Sequence, residues 1–231
     1  MSNDSISTFF NAWEVYDQVL DHDYMFHDRV HHDLDLFLSR HFNQQPFSVL
    51  DLGCGSARHM AATLARHRPS LYVGYDISST ALEHAREASS RLDAEVRLHE
   101  GDLLEALNRE VRPFDLIFSG YALHHLKEQE KRAFFQASKQ LISASGVLVI
   151  LDLVRDVNEG RVDFLSRYCR WVEADWSALS KVAVTGIQEH VMSADYPEAR
   201  EDLIVMAKQA GYINNTPICE YGCHQAIGCE V

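Results

Sequence analysis

The sequence predicts an α/β fold: a mostly parallel seven-stranded sheet with helices on both faces, an antiparallel last strand, an N-terminal helical cap and a helical insertion after the fifth strand. Three observations carry this expectation. From residue 47 onward, short apolar runs alternate with helical stretches, which is the pattern of βαβ units. The first run, Phe47 to Leu52, passes directly into a turn on Gly53 and Gly55, with a helix beginning near Ala57. The last two apolar runs, 213–219 and 223–231, follow one another with no helix between them, which suits an antiparallel pair.

The elements follow in order. Phe9, Trp13, Tyr16 and Leu20 recur at helical spacing and predict an amphipathic first helix. His27, His31, Leu34 and Leu38 trace one face of a second, and Pro46 ends this cap. The expected division is a cap over 1–45 and a main domain over 46–231, with 156–195 as a lid-like insertion. Strands are predicted over 71–75, 95–99, 114–118 and 146–151, with helices over 80–89 and 128–142. The insertion carries Phe164, Tyr168, Trp171 and Trp176 on a helical stretch. A helix over 197–210 is expected next, with Pro197 in its first turn and Gly211 as its cap.

Bulk properties narrow the function. A chain of 231 residues with 46% hydrophobic content suits one sizeable α/β domain. A net charge of −13 argues against broad phosphate-backbone binding. The N-terminus lacks a signal-type apolar core, and the run 147–151 is far too short to span a bilayer, so a soluble, cytoplasmic protein is expected. Five cysteines, an odd number, do not suggest a disulfide framework. Cys219, Cys223 and Cys229 crowd the C-terminus with His224, but without a zinc spacing. His27 and His31 are four apart with Asp23 nearby, yet they continue the face of Leu34 and Leu38 and read as structural. No metal site is expected.

Ligands of open α/β sheets bind beyond the carboxyl ends of the strands. Those ends carry Asp51, Asp76, Asp102, the segment Ser119–His125 and Asp152. A dinucleotide would need a third small residue where this turn has Arg58, and Asp51 would repel a pyrophosphate. S-adenosylmethionine (SAM) fits better: its ammonium can face Asp51, and its carboxylate can take N–H groups at the helix start. Asp76 lies about 20 positions past the turn, where a carboxylate holds ribose hydroxyls. Asp102 can accept from an adenine amine. Both aspartates are also reasonable helix caps.

The chain resembles the class I SAM-dependent methyltransferases of the small-molecule type. The matching pieces run in order over residues 45–155: Leu50-Asp51-Leu52-Gly53-Cys54-Gly55, Gly74-Tyr75-Asp76-Ile77-Ser78, Gly101-Asp102-Leu103, Phe114-Asp115-Leu116-Ile117 running into Ala122-Leu123-His124-His125-Leu126, and Ser145-Gly146-Val147-Leu148-Val149-Ile150. Ala57 stands where that family often has a third glycine. The resemblance implies a Rossmann-like fold, SAM as cofactor and in-line methyl transfer. It points to Asp51, Gly53, Cys54, Gly55, Asp76, Ile77, Asp102, Leu103 and Ser119 as cofactor contacts. His124 and His125 are the candidate catalytic residues, with His124 preferred as general base. Tyr16, Tyr24, His27 and Tyr121, together with Tyr168 and Trp171 of the insertion, are the candidate substrate contacts.

A small-molecule acceptor is the expected partner. Nucleic acid and membrane are not expected, and self-association as a homo-oligomer is left open. Rival readings are an enzyme that modifies SAM itself, using Arg155, Arg167 or Arg170 to hold a carboxylate, and a non-catalytic SAM-binding subunit. A nucleic-acid methyltransferase is disfavoured because no Asn/Asp-Pro-Pro-Tyr signature follows Phe118.

Overall fold

The computed structural model describes residues 13–231; Phe9 lies outside them. Two cap helices, α1 (Trp13–Asp21) and α2 (His27–Phe42), precede β1 (Phe47–Leu52) and α3 (Arg58–Leu64). The alternation continues through β2 (Pro69–Asp76), α4 (Ser79–Ser89), β3 (Glu95–Glu100), α5 (Leu103–Arg109) and β4 (Phe114–Gly120). A 3-10 turn (Leu123–His125), α6 (Glu128–Leu141) and β5 (Ile142–Arg155) follow. The insertion forms α7 (Arg161–Asp175) and α8 (Lys181–Ala194). The chain closes with β6 (Glu198–Ala199), α9 (Arg200–Ala210), β7 (Asn214–Tyr221) and β8 (His224–Glu230).

The main sheet runs β3-β2-β1-β4-β5-β8-β7, parallel through β5, with β8 antiparallel between β5 and β7. The order reverses between β1 and β4, so a crevice opens beyond their carboxyl ends. Successive strand residues face opposite sides of the sheet, and the core divides accordingly. Leu50, Leu148 and Ile150 pack on one side against Phe134 and Phe135 of α6 and Met206 of α9. Val49, Val147 and Val149 pack on the other against Leu34 and Leu38 of α2 and Met60 of α3. A third cluster lies under the insertion, where Val19 and Leu153 meet Phe164, Tyr168, Trp176 and Ile187.

Four elements differ from expectation. α5 fills the stretch between β3 and β4, for which the sequence predicts no helix; at seven residues it is too short to show a clear period. β5 begins at Ile142, directly after α6, because Phe114 of β4 already pairs with Ile142 there. The insertion holds a second helix, α8, whose mixed surface gave little periodicity; only Ile187, Val191 and Ala194 are buried. Pro197 does not start a helix. The following Glu198–Ala199 pairs with Val154–Arg155 of β5, and the helix begins at Arg200. Its cap is as expected, with Gly211 at φ 102. No helix among the described residues is long and apolar enough to cross a membrane.

Candidate functional site

A cavity of about 530 Å³ opens beyond β1 and β4 and runs beneath the insertion helices. That volume lies in the range of small-ligand sites. One end is built from the turn after β1 and the ends of β2 and β3. Gly53 (φ +76) and Gly55 (φ +52) hold the left-handed backbone that side chains disfavour. At Gly53 the reason is also steric: an added Cβ would lie 2.6 Å from the Cβ of Ala122. At Gly55 an added Cβ would only reach ordinary contact with the Tyr16 hydroxyl of the cap, at 3.5 Å, so there the backbone angle is what calls for glycine.

Asp76 ties the turn to β2. Its carboxylate accepts from Gly55 N–H and Ser78 N–H, both at 2.8 Å. Burial raises its pKa, and those backbone donors oppose the rise. Asp102 accepts from Leu104 N–H at 2.8 Å and so caps α5, yet it also lines the cavity. Ile77 and Leu103 line the same end.

Asp51, Cys54 and Ser119 do not line the cavity. Asp51 is 1% exposed and accepts from the Tyr72 hydroxyl at 2.7 Å, one layer behind the glycine turn. Cys54 packs against Gly74, and its thiol faces Gly55 O at 3.7 Å. Ser119 is fully enclosed in β4, because the chain leaves the sheet only at Gly120. Burial raises the Asp51 pKa to about 7, with the Tyr72 bond opposing it. Folding therefore favours the protonated carboxyl. Its stabilising effect is complete below the unfolded pKa near 4 and is lost as pH rises toward 7, at roughly 1.4 kcal/mol per pH unit of that interval. Asp51→Asn should flatten this part of the curve. Thermal melts of both proteins between pH 4 and 8 test this, and parallel curves would refute it.

The other end of the cavity gathers residues from distant segments. Tyr121 sits at φ 53, a strained backbone for a non-glycine residue. Its N–H bonds Leu151 O at 2.7 Å, and its hydroxyl donates to Met25 O at 2.7 Å. His124 lies in the 3-10 turn after β4. Asp152, at the end of β5, accepts from His124 N–H at 2.8 Å and from the ring at Nδ1. Tyr196 N–H donates to His124 O at 2.6 Å, which ties the end of the insertion to this turn.

That tie brings in Asp195 and His190. The buried Asp195 carboxylate lies 3.8 Å from His124 Nε2, 3.1 Å from His125 Nδ1 and 3.8 Å from His190 Nε2. His124, His125, His190 and Asp195 all line the cavity. Burial alone would lower the His124 pKa, but Asp152 and Asp195 outweigh it and raise the value. The two carboxylates thus favour the protonated ring more than water does. Burial and the charge of His124 lower the His125 pKa, and burial lowers His190 to about 4. Asp195 is pushed up by burial but held low by these imidazoles.

The sequence points to the His pair but not to its partners. His190 and Asp195 lie on and just after a helix with weak periodicity, more than 60 residues downstream. Nothing local marks them; only the Tyr196–His124 bond shows why they arrive. Where no metal was expected, His124, His125 and Asp195 form the one group of His, Cys, Asp or Glu among the described residues placed to hold an ion.

Of the candidate substrate contacts, Tyr16, His27, Tyr121 and Tyr168 line the cavity. His27 is 6% exposed, and neither ring nitrogen has a hydrogen-bond partner. Tyr24 and Trp171 do not line it. Tyr24 stacks on Trp176 at 5.1 Å, and its hydroxyl accepts from Ala178 N–H at 2.8 Å. Trp171 packs among Phe26, Tyr168, Trp176 and His224. Both join cap to insertion, and it is Trp176 that reaches the cavity. His31 bonds Thr63 Oγ1 at 3.0 Å, a structural role. Arg155 bonds Glu198 and Asp202, and Arg167 bonds Glu159, so neither faces the cavity.

Residues 49–146 match a family described as a methyltransferase domain. A release factor glutamine methyltransferase from Bacillus cereus is 34% identical over 83 residues, 36% of this chain and 29% of that protein. The chain thus spans less than a third of that relative's length. An uncharacterized methyltransferase from Anoxybacillus flavithermus is 29% identical over 154 residues, covering 66% of this chain and 68% of the other. An indolepyruvate C-methyltransferase from Streptomyces griseus is 27% identical over 46% of this chain and 33% of its own length. Among solved structures, the YcgJ protein of Bacillus subtilis superposes with a TM-score of 0.60 at 17% identity, over 83% of this chain and 72% of that one. A cyclopropane synthase from Mycobacterium tuberculosis gives 0.56 at 16% identity, over 79% and 62%. These structural likenesses concern the fold.

Proposed function

We propose that this chain, whose residues 49–146 match a methyltransferase domain, is a class I SAM-dependent enzyme that transfers the methyl group of SAM to a small-molecule acceptor bound under the insertion. The observation that carries this reading is the cavity. It is continuous from the Gly53–Gly55 turn to the His124, His125 and Asp195 corner, and it is roofed by Tyr168, Trp176, Ile187 and Val191 of the insertion. A roofed site of that kind admits a small acceptor more readily than a folded macromolecule and keeps water from the reacting atoms.

The residues present fit the cofactor. Asp76 keeps acceptor capacity for ribose hydroxyls beyond its bonds to the backbone, since a carboxylate offers about four lone-pair sites. Asp102 is placed for an exocyclic amine, with Ile77 and Leu103 as apolar walls. Gly53 and Gly55 let a ligand approach the main chain at the start of α3. When bound, SAM supplies an electrophilic sulfonium methyl. The chain's own work is then to position the acceptor, exclude water and preorganise charge around its nucleophilic atom. Tyr121, His27 and the imidazole–carboxylate corner would hold polar groups of the acceptor, and Tyr168 and Trp176 would cover its apolar part.

The rival reading of SAM modification needs a cation at the methyl. The cavity is lined by Lys127 but by none of the three arginines. The test is incubation of the purified chain with methyl-labelled SAM and separate panels of small amines, phenols, thiols and keto acids, alongside RNA, DNA and proteins. Label is expected in at least one small-molecule panel. Label confined to a macromolecule would refute the proposal.

A further inference from the structure

Methyl transfer to a small molecule does not by itself require two histidines and a carboxylate converging at the acceptor end. We propose that His124 Nε2, His125 Nδ1 and a carboxylate oxygen of Asp195 form a binding site for one divalent transition-metal ion of the zinc or iron(II) kind, open toward the cavity.

The donor set is the first argument. Two imidazoles and one carboxylate are the ligands that zinc and iron(II) take in sites that leave positions open for water or substrate. Spacing is the second. Metal–ligand bonds of about 2.0–2.2 Å in tetrahedral geometry separate the ligand atoms by roughly 3.2–3.6 Å. Here one ligand atom from each residue lies within 4.8 Å of the others; Asp195 Oδ1 is 3.1 Å from His125 Nδ1, and its Oδ2 is 3.8 Å from His124 Nε2, so the carboxylate faces both rings. An ion would have to draw the most distant pair of these atoms inward by as much as roughly 1–1.5 Å, through rotation of the side chains.

The groups behind the ligands are the third and most specific argument. A metal-bound histidine usually gives its other ring nitrogen to a carboxylate, which fixes the ring and raises its basicity. His124 Nδ1 is held by Asp152 in this way, leaving Nε2 as the nitrogen directed at Asp195. His190 Nε2 lies 3.8 Å from Asp195 Oδ1, the oxygen that also faces His125, and can help orient the carboxylate. Charge agrees. Asp152 and Asp195 are 3% and 2% exposed, and a divalent cation among neutral imidazoles would balance both carboxylates. The other histidine group, His27, His31 and His59, does not bring its nitrogens together in this manner, although the rings lie 4.7 to 6.3 Å apart.

All three ligands line the cavity beside Tyr121 and Leu153, so the open coordination positions face the space where an acceptor would lie. A bound ion could therefore hold an acceptor hydroxyl, thiol or enol oxygen and make it more acidic. That use rests on the methyl-transfer reading; the existence of the site does not.

The experiment titrates untagged, chelator-treated protein with Co²⁺ or Zn²⁺ alone, without SAM or acceptor. Binding is read by calorimetry and by the visible absorption that Co²⁺ shows in a low-coordinate nitrogen and oxygen site. One ion per chain is expected, with a rise in melting temperature. Asp195→Asn and His125→Gln should abolish the absorption band. Asp152→Asn, which alters only the group behind His124, should weaken affinity roughly 10–100-fold. The exposed His32→Gln should bind as wild type. Melting curves without metal establish that each variant is folded; should Asp195→Asn not fold, His125→Gln and Asp152→Asn carry the comparison. No band in the wild type, or a band untouched by these substitutions, overturns the proposal and leaves the cluster as an ion-pair network. Methyl transfer without any bound ion would bear only on the ion's use.

Discussion

Asp76→Ala is expected to weaken binding of SAM and of its demethylated product alike, by roughly 100-fold or more. Hydrogen bonds to a charged group contribute about 1.5–3 kcal/mol each, and losing two of them to ribose hydroxyls corresponds to at least that factor. The wild-type carboxylate also holds the Gly55 and Ser78 N–H groups, so its removal loosens the turn that receives the ligand. Both ligands share the ribose, so the loss should be equal for the two. Asp76→Asn keeps one carbonyl oxygen and should lose less. Calorimetric titration of wild type and both variants measures this. Wild-type affinity in a folded Asp76→Ala protein would show that the cofactor end of the cavity is wrongly assigned.

This residue was legible in the sequence because its position follows from local rules. A strand, a glycine turn and a helix place the end of the next strand beside the turn. Asp102 was legible twice over, as helix cap and as cavity wall, and both readings hold together because a cap at a strand's end already faces the crevice. Local rules stop where contacts become long-range. Ser119 sits at a strand end in the sequence, but pairing with β5 extends to Gly120 and encloses it. Tyr24 and Trp171 have the composition of binding residues, yet which ring reaches the cavity depends on how cap and insertion interlock; Trp176 does so instead. His190 and Asp195 were invisible because the bond that delivers them joins Tyr196 to His124, across a span that no periodicity encodes.

The same physics sets the second large effect, at Asp152. This carboxylate accepts from the His124 backbone and ring and from its neighbour Leu153 N–H, and it is 3% exposed. Asp152→Ala leaves three buried donors without their acceptor and removes one charge of a buried pair. Breaking such a pair costs about 3–5 kcal/mol, which for a chain of this length lowers the melting temperature by roughly 6–20 °C. The His124 ring is also released, and a small misplacement of groups at the reacting end costs about 100-fold in rate. Turnover should therefore fall by that order while SAM affinity changes little, since Asp152 bonds His124 and Leu153 and none of the residues of the glycine turn. Asp152→Asn restores one acceptor and the side-chain shape, so it should recover most of the stability while restoring little of the rate, because an amide cannot supply the charge that holds the imidazole. If Asp152→Asn instead recovers rate and stability in step, Asp152 serves packing alone and the His124 ring needs no carboxylate to be held in place.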